Sequence, residues 1–344
     1  MTTSSLPRGG VNEIVRAAPR RRPRRLLANQ PVLRAVLNRL LVAIPLLFVV
    51  TLLSFLLVSL TPGDAARAIL GDQASADAYD SLRHELRLDQ PLFTQYTDWL
   101  GKAITGDLGT SIFTGEDVTH MVTERLPVTL SLLVGALLVT AILGTLLGII
   151  SAVRGGVLGR ILDSFSLVGQ AVPAFWAGAI LIAVFAVALR WLPPTGYVPL
   201  EKSPGEWLRA LILPVVALSI GGLASVARQT RDAMLEAFSS EYVRAARASG
   251  VSTRSIIFRH ALKNAGTRAV TVFGLMAVGL VGGTVLVEAV FALPGLGSLT
   301  VNAVVQHDIP VIQGIVIYFT IMVVLINLLV DVSYVWINPK ARTS

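Results

Sequence analysis

Six runs of this 344-residue chain contain no Asp, Glu, Lys, Arg or His, and each is long enough to cross a bilayer. They are residues 40–63, 126–153, 164–189, 210–227, 269–287 and 309–330. A spanning helix needs roughly 20 predominantly apolar residues. In lipid the backbone must satisfy its own hydrogen bonds, which leaves helices and closed barrels as spanning structures. The fold class expected is an all-α polytopic membrane protein with six transmembrane helices. Composition agrees. Only 15% of residues are charged, against about 25% in a soluble domain, and mean hydropathy is +0.69.

Charge placement sets the expected orientation. With both termini in the cytoplasm, 21 of the 29 Lys and Arg residues fall in cytoplasmic segments, the bias that the positive-inside rule requires. The segment 64–125 then lies outside and carries eleven Asp and Glu against five Lys and Arg. The pI near 10.3 thus reflects cytoplasmic loops, and no nucleic-acid partner is expected. The lipid bilayer is. The expected organisation is a basic cytoplasmic extension (1–39), a first helix (40–63), an extracytoplasmic helical cap (64–125), a core of five further helices (126–337) with a cytoplasmic loop at 228–268, and a short cytoplasmic tail (338–344). The extension carries RRRPRR at Arg20–Arg25, suited to anionic lipid headgroups. The apolar run after it is too long for a cleaved signal peptide and lacks a small-residue cleavage site.

Local signals subdivide this plan. Ala65–Leu88 has helical periodicity until Asp89-Gln-Pro breaks it, and Leu92–Ile104 reads as a second short helix with Trp99 near the membrane interface. Helix 2 is expected to begin at Pro127, which suits a first turn. Pro173 should kink helix 3. FALPGLG, Phe291–Gly297, reads as a tight turn before a last helix that begins at Pro310.

Several chemistries lack their residues. The chain has no cysteine, which removes disulfides and thiolate metal sites. Its histidines, His84, His120, His260 and His307, form no local metal motif, and no metal is expected. No phosphate loop exists, because the one lysine that follows a glycine, Lys102, precedes Ala103. No His or Asp lies inside an apolar run, which argues against an intramembrane enzyme and against a stand-alone ion-coupled transporter, the alternative reading. The chain is expected to be no enzyme and to hold no cofactor. Uphill transport would then draw its energy from a partner. Polar residues suited to a translocation path are Gln170 and Ser225, with Glu288 at the outer end of helix 5.

The basic segment 228–268 lies between two apolar runs. Tyr242, Ala245, Ala246 and Ser249 share one helical face. Gly250 suits a left-handed helix end, and Ser252 an N-cap for a second helix through Ile256. Such a hairpin can dock in a groove on another protein.

Ala245-Ala246 followed by Gly250 resembles the EAA loop of ABC-importer permeases, and YVRAARASG…RHALKNA is similar to its form in the dipeptide, oligopeptide and nickel importer family. Further blocks keep the family's order: LNRLLVAIPLLFVVTLLSFLL…TPGD, LDQPLFTQYTDWL…GDLGTS, ERLPVTLSL, VPAFWAG, LPPTGY, VLVEAVFALPGLG and NLLVDVSY…NPKAR. They cover the chain from about Leu37 to Arg342 and look like the first of the two paired permeases. The resemblance implies a type I ABC-importer transmembrane domain in a bacterial inner membrane, multi-pass. It implies a homologous second permease, two ABC ATPase subunits that bind ATP and Mg, and an extracytoplasmic solute-binding protein. Carried onto this chain, the ATPase-coupling residues are Arg244, Ala245, Ala246, Arg247, Gly250, Val251, Ser252 and Ile256. Pro294, Gly295 and Gly297 become expected contacts of the binding protein. Two departures, Arg244 where the general pattern has Glu and His260-Ala261 near its Leu-Pro, are shared with the peptide branch. The Arg-rich extension is not a usual family feature.

Overall fold

The computed structural model describes residues 31–71 and 73–337. The Arg20–Arg25 stretch and the tail at 338–344 lie outside them. Among the described residues five continuous helices are long and apolar enough to cross a membrane. They belong to α1 (Pro31–Ser59), α5 (Val118–Arg154), α8 (Pro204–Ser239), α11 (Leu262–Val290) and α13 (Ile309–Ile337). The sixth expected span is broken. α6 (Gly156–Ala171) and α7 (Ala174–Leu181, prolonged by a wide π-type turn over Ile182–Ala188) meet at an angle of 106° around Pro173. A kink was expected here, and the bend is far larger. Val172 has extended backbone, as a residue before proline prefers, so the helix stops there and a new one starts.

α5 and α8 form the most extensive helix pair in the molecule. On α5, Val128, Leu132, Ala136, Thr140, Gly144, Gly148 and Ala152 recur every fourth residue and are all buried. This stripe narrows from large to small side chains toward Ala152. A Cβ on Gly144 would lie 2.9 Å from Val226 Cβ, and one on Gly148 would lie 2.5 Å from the Ala227 carbonyl oxygen. Only glycine lets the two backbones come this close. In lipid, where burying apolar surface adds little, such dispersion contacts drive helix association. α11 packs on the same helix, with Gly283 against Leu218, and on α13 with Gly274 against Val330. α1 stands outside this core and leans on α13, joined by the Arg39–Asp331 ion pair at 2.5 Å and by Gln313 Nε2, which donates to the Thr51 carbonyl.

Several helix ends differ from expectation. α5 begins at Val118, nine residues before Pro127, which therefore sits inside the helix. Asp117 caps it by accepting from His120 N at 2.8 Å, so the polar first turns form an overhang beyond the apolar run. The stretch Ala65–Leu88 is two helices, α2 (Ala65–Leu70) and α3 (Ala76–Glu85). Gly71 adopts φ +76° between them, and Ser75 caps α3. Leu92–Ile104 is α4, as read. An 11-residue helix, α12 (Leu296–Gln306), follows the FALPGLG turn and was not foreseen.

The cap is tied to α1 and to the start of α13, and is braced within itself. Tyr96 of α4 is buried against Phe55 and Phe48 of α1, with its hydroxyl 3.0 Å from Thr51 Oγ1. Ser111 donates to the buried Asp308 at 2.6 Å, just ahead of α13. Tyr79 donates to Asp64 at 2.7 Å, and that bond raises the phenol's pKa.

Gly148→Ala should destabilise the protein by about 1–3 kcal/mol through overpacking. Gly279→Ala, where a Cβ meets nothing within 4 Å, should be neutral or slightly stabilising. Unfolding of the detergent-solubilised chain, followed by circular dichroism, checks the contrast.

Candidate functional site

The hairpin is built from the inner ends of α8 and α11. α8 runs three turns past its apolar stretch to Ser239. Ser240 then takes extended backbone, and α9 (Glu241–Ala248) begins. Its end is a Schellman motif. Val251 N donates to the Ala246 carbonyl at 3.1 Å and Gly250 N to the Arg247 carbonyl at 3.0 Å. Gly250 holds φ +75° with open space around its Cα, so glycine is needed there for its backbone angle alone. Ser252 caps the next turn, α10 (Thr253–Ser255), by accepting from Ser255 N, and a π-type turn over Ile256–Ala261 leads into α11.

Burial divides the expected contact residues. Val243 and Ile256 are buried, and Ile257 packs with Ala233, Met234 and Ala237 of α8 and Ala152 of α5. The Arg247 guanidinium sits 5.8 Å from the Phe238 ring centre. These contacts pin the hairpin to the membrane domain. Arg244, Ala245, Arg247, Gly250 and Ser252 are exposed, and Ala246 and Val251 are half-buried. The small-residue face therefore points away from the membrane domain, while Ile256 supports the hairpin from behind and offers no surface to a partner.

A second polar cluster lies at the opposite end of the bundle. Glu288, in the last turn of α11, is fully buried. Its carboxylate accepts from Thr129 Oγ1 at 2.7 Å, Gly297 N at 2.7 Å and Ser298 N at 3.2 Å. Thr129 in turn accepts from Leu296 N at 2.8 Å. The residue at the N-cap position of α12 is Gly295, which has no side-chain oxygen, so Glu288 and Thr129 satisfy the first amides of that helix in its place. Gly295 and Gly297 are buried against the Glu288 side chain, with no room for a Cβ at either. Of the expected binding-protein contacts only Pro294 is exposed.

The three expected path residues do not converge. Gln170 is exposed near the α6–α7 break, with its Nε2 donating to the Ser166 carbonyl at 3.2 Å. Ser225 is half-buried on α8, and Glu288 is sealed from any open surface. Sequence reasoning missed Thr129, Ser298 and Asp308. Among the described residues one group of three, Glu116, His120 and Glu124, has side-chain atoms close enough to share an ion. All three are exposed, Glu116 just ahead of α5 and His120 and Glu124 on its first turns, and acidic groups commonly gather so without one.

Residues 144–343 match the family described as binding-protein-dependent transport system inner membrane component, and residues 32–133 match the N-terminal model of such membrane components. The chain belongs to this family. It is thus a multi-pass protein of the bacterial inner membrane and a component of a transport system, which sets aside the stand-alone transporter. Relatives include a putative peptide transport system permease protein of Brucella abortus, 41% identical over 308 residues, covering 89% of this chain and 98% of that one. The di/tripeptide transport system permease protein of Pseudomonas aeruginosa is 38% identical over 333 residues, covering 90% and 99%. A glutathione transport system permease protein of Escherichia coli is 40% identical over 312 residues, with the same coverage. A chain of the inward-facing MetNI methionine ABC transporter superposes with a TM-score of 0.52 at 19% identity, covering 64% of this chain and 97% of that one. That likeness establishes the membrane-domain fold of an ABC transporter.

Replacing Glu288 in this family member by Ala should remove the acceptor from three donors, two of them buried, and cost about 3–5 kcal/mol. Glu288→Gln keeps an acceptor oxygen and should cost less. Thermal unfolding together with limited proteolysis at the α11–α12 turn checks the order.

Proposed function

We propose that this chain forms half of the translocation pore of an ATP-driven importer for di- or oligopeptides or a related small solute. It pairs with a homologous second permease. Two ABC ATPase subunits, which hold ATP and Mg, sit against the hairpin at 228–268, and an extracytoplasmic solute-binding protein delivers the solute at the opposite face. Both termini and the hairpin are cytoplasmic. The peptide class rests on the relatives, whose names refer to peptide, di/tripeptide and glutathione transport.

The observation that carries the reading is the hairpin's construction. An exposed small-residue face is held by a fixed turn and backed by a buried apolar pin. Ala245, Ala246 and Ser249 leave room for another protein's surface to approach, while Arg244, Arg247 and Arg254 flank it with positive charge. α9 is joined directly to α8, and the turn after Gly250 runs into α11. A displacement of the hairpin by closing ATPases therefore reaches two membrane helices without crossing a flexible loop. The two six-span bundles would then rock between outward- and inward-facing states. The contact surface is formed by Arg244, Ala245, Ala246, Arg247, Gly250, Val251 and Ser252, with Ile256 as its support. Pro294 is the exposed member of the proposed binding-protein contact, and Gln170 and Ser225 face the path.

Ala245→Glu puts a carboxylate on the docking face, and Gly250→Pro forbids the left-handed turn. Both variants should still insert in the membrane. Uptake and substrate-stimulated ATPase activity should each fall by about ten-fold or more, the effect of losing ~1.4 kcal/mol at the contact. Unchanged stimulated ATPase activity in reconstituted variants would refute the coupling assignment.

A further inference from the structure

We propose that the slot between α5, α6 and α8 is a phospholipid site, which holds one acyl chain and seats a zwitterionic aminophospholipid headgroup on Asp163 and Arg231. The slot encloses about 260 Å³. Its walls are apolar, formed by Leu143 and Leu147 of α5, Phe165 of α6, and Ile220, Leu223 and Ala224 of α8. Leu143 and Phe165 at its rim are exposed, Phe165 at 71%, so the slot borders an apolar medium. α6 closes one side by resting Gly169 on Ala224 and Ile220.

The dimensions fit one leaflet. The α8 residues lining the slot run from Val216 to Arg231, fifteen residues apart, or about 22 Å along the helix. Half of a bilayer with its headgroups is about 20–22 Å. Arg231 lies on the hairpin side, at headgroup depth, and Val216 near the midplane. There Val139 and Val216 also line a second apolar cavity, of about 660 Å³, which leaves room for a chain terminus.

The polar end selects the headgroup. Arg231 donates to Asp163 at 3.0 Å and lies 3.6 Å from Asp232. The Arg231 side chain is 25% exposed, so a phosphate oxygen can approach its terminal guanidinium nitrogens beside Asp163. Asp163, with its side chain 32% exposed, retains acceptor capacity for an ammonium. A purely anionic headgroup would meet both carboxylates. A headgroup carrying phosphate and ammonium matches both signs, and a choline headgroup cannot donate a hydrogen bond to Asp163. Arg160 and Arg228 are exposed at the same depth and attract the phosphate without selecting the amine.

The test uses the full-length chain in detergent with added phosphatidylethanolamine, phosphatidylglycerol or phosphatidylcholine, read by native mass spectrometry and by unfolding temperature. Phosphatidylethanolamine should be retained best and stabilise most. Arg231→Lys keeps the ion pair but removes the forked guanidinium donors, and Asp163→Asn keeps a neutral acceptor; each should reduce phosphatidylethanolamine retention by about ten-fold. Ala224→Leu fills the slot and should reduce retention of all three lipids. Equal retention of the three headgroups by the unmodified chain would overturn the proposal. So would efficient cross-linking of Phe165→Cys, at the exposed rim, to a second permease in assembled membranes, since the slot would then be a subunit interface. The chain has no cysteine of its own, so that single thiol reports unambiguously.

Discussion

The approach of α5 to α8 is the contact around which the molecule is arranged. α8 also carries α6, α7 and α11 on its other faces, so its position relative to α5 locates most of the core. Because hydrocarbon surrounds the bundle, the association rests on packing at short range. Gly144 and Gly148 meet Val226, Ala227 and Thr230 where the α8 backbone is nearest. Bulkier residues, Val128 and Leu132, fill the wider gap toward the outer face. The small-to-large gradient along one stripe of α5 thus determines how α8 leans. It also leaves the inner ends of both helices tightly joined where the hairpin starts, with Ala152 packed among Ala233, Met234 and Ala237.

Helix ends pose the complementary problem. An apolar run satisfies its own backbone along its length but leaves the terminal amides and carbonyls open. Where the ends reach water the solutions are local, as at Asp117, Ser203 and Ser252. α12 starts inside the protein, and its first amides are satisfied by residues from α5 and α11. The Glu288–Thr129 arrangement therefore links three helices through one helix terminus. Gly295 and Gly297 follow from it, because a methyl group at either place would overlap the carboxylate or the α11 backbone.

How much of this was legible in the residues depends on the range of each interaction. Spans were readable because lipid imposes composition on every residue of a run. Gly250 and Ser252 were readable because a left-handed turn and an N-cap are decided within a few residues. α12 was not, since PGLG carries a turn signal and its cap comes from Thr129, 167 residues away from Leu296. Likewise, Pro127 as a first-turn signal was outweighed by Asp117, whose cap placed the helix start in a polar stretch that hydropathy ignores. The α6–α7 break was anticipated in place and underestimated in size, because Pro173 marks where a helix is interrupted and the neighbouring helices decide the angle at which it resumes. Gln170 and Ser225 are polar residues within apolar runs and Glu288 follows one directly, and polarity alone does not distinguish an exposed amide from a sealed carboxylate.

The two ends of the molecule solve opposite mechanical requirements with the same helix. α11 begins at the hairpin and finishes at Glu288, and it runs the full depth of the bundle between them. At its outer end three hydrogen bonds and two close glycine contacts fix it to α12 and α5. At its inner end it emerges from a π-type turn and a short capped segment, where the hairpin is held by side-chain packing with few directed bonds. Hydrogen-bonded clusters tolerate little displacement before a buried donor loses its acceptor, whereas apolar side chains such as Ile256, Ile257 and Met234 can slide by small amounts at low cost. A force applied at α9 would therefore tilt α11 about its outer anchor, with the largest movement at the inner end and the least at the α12 turn.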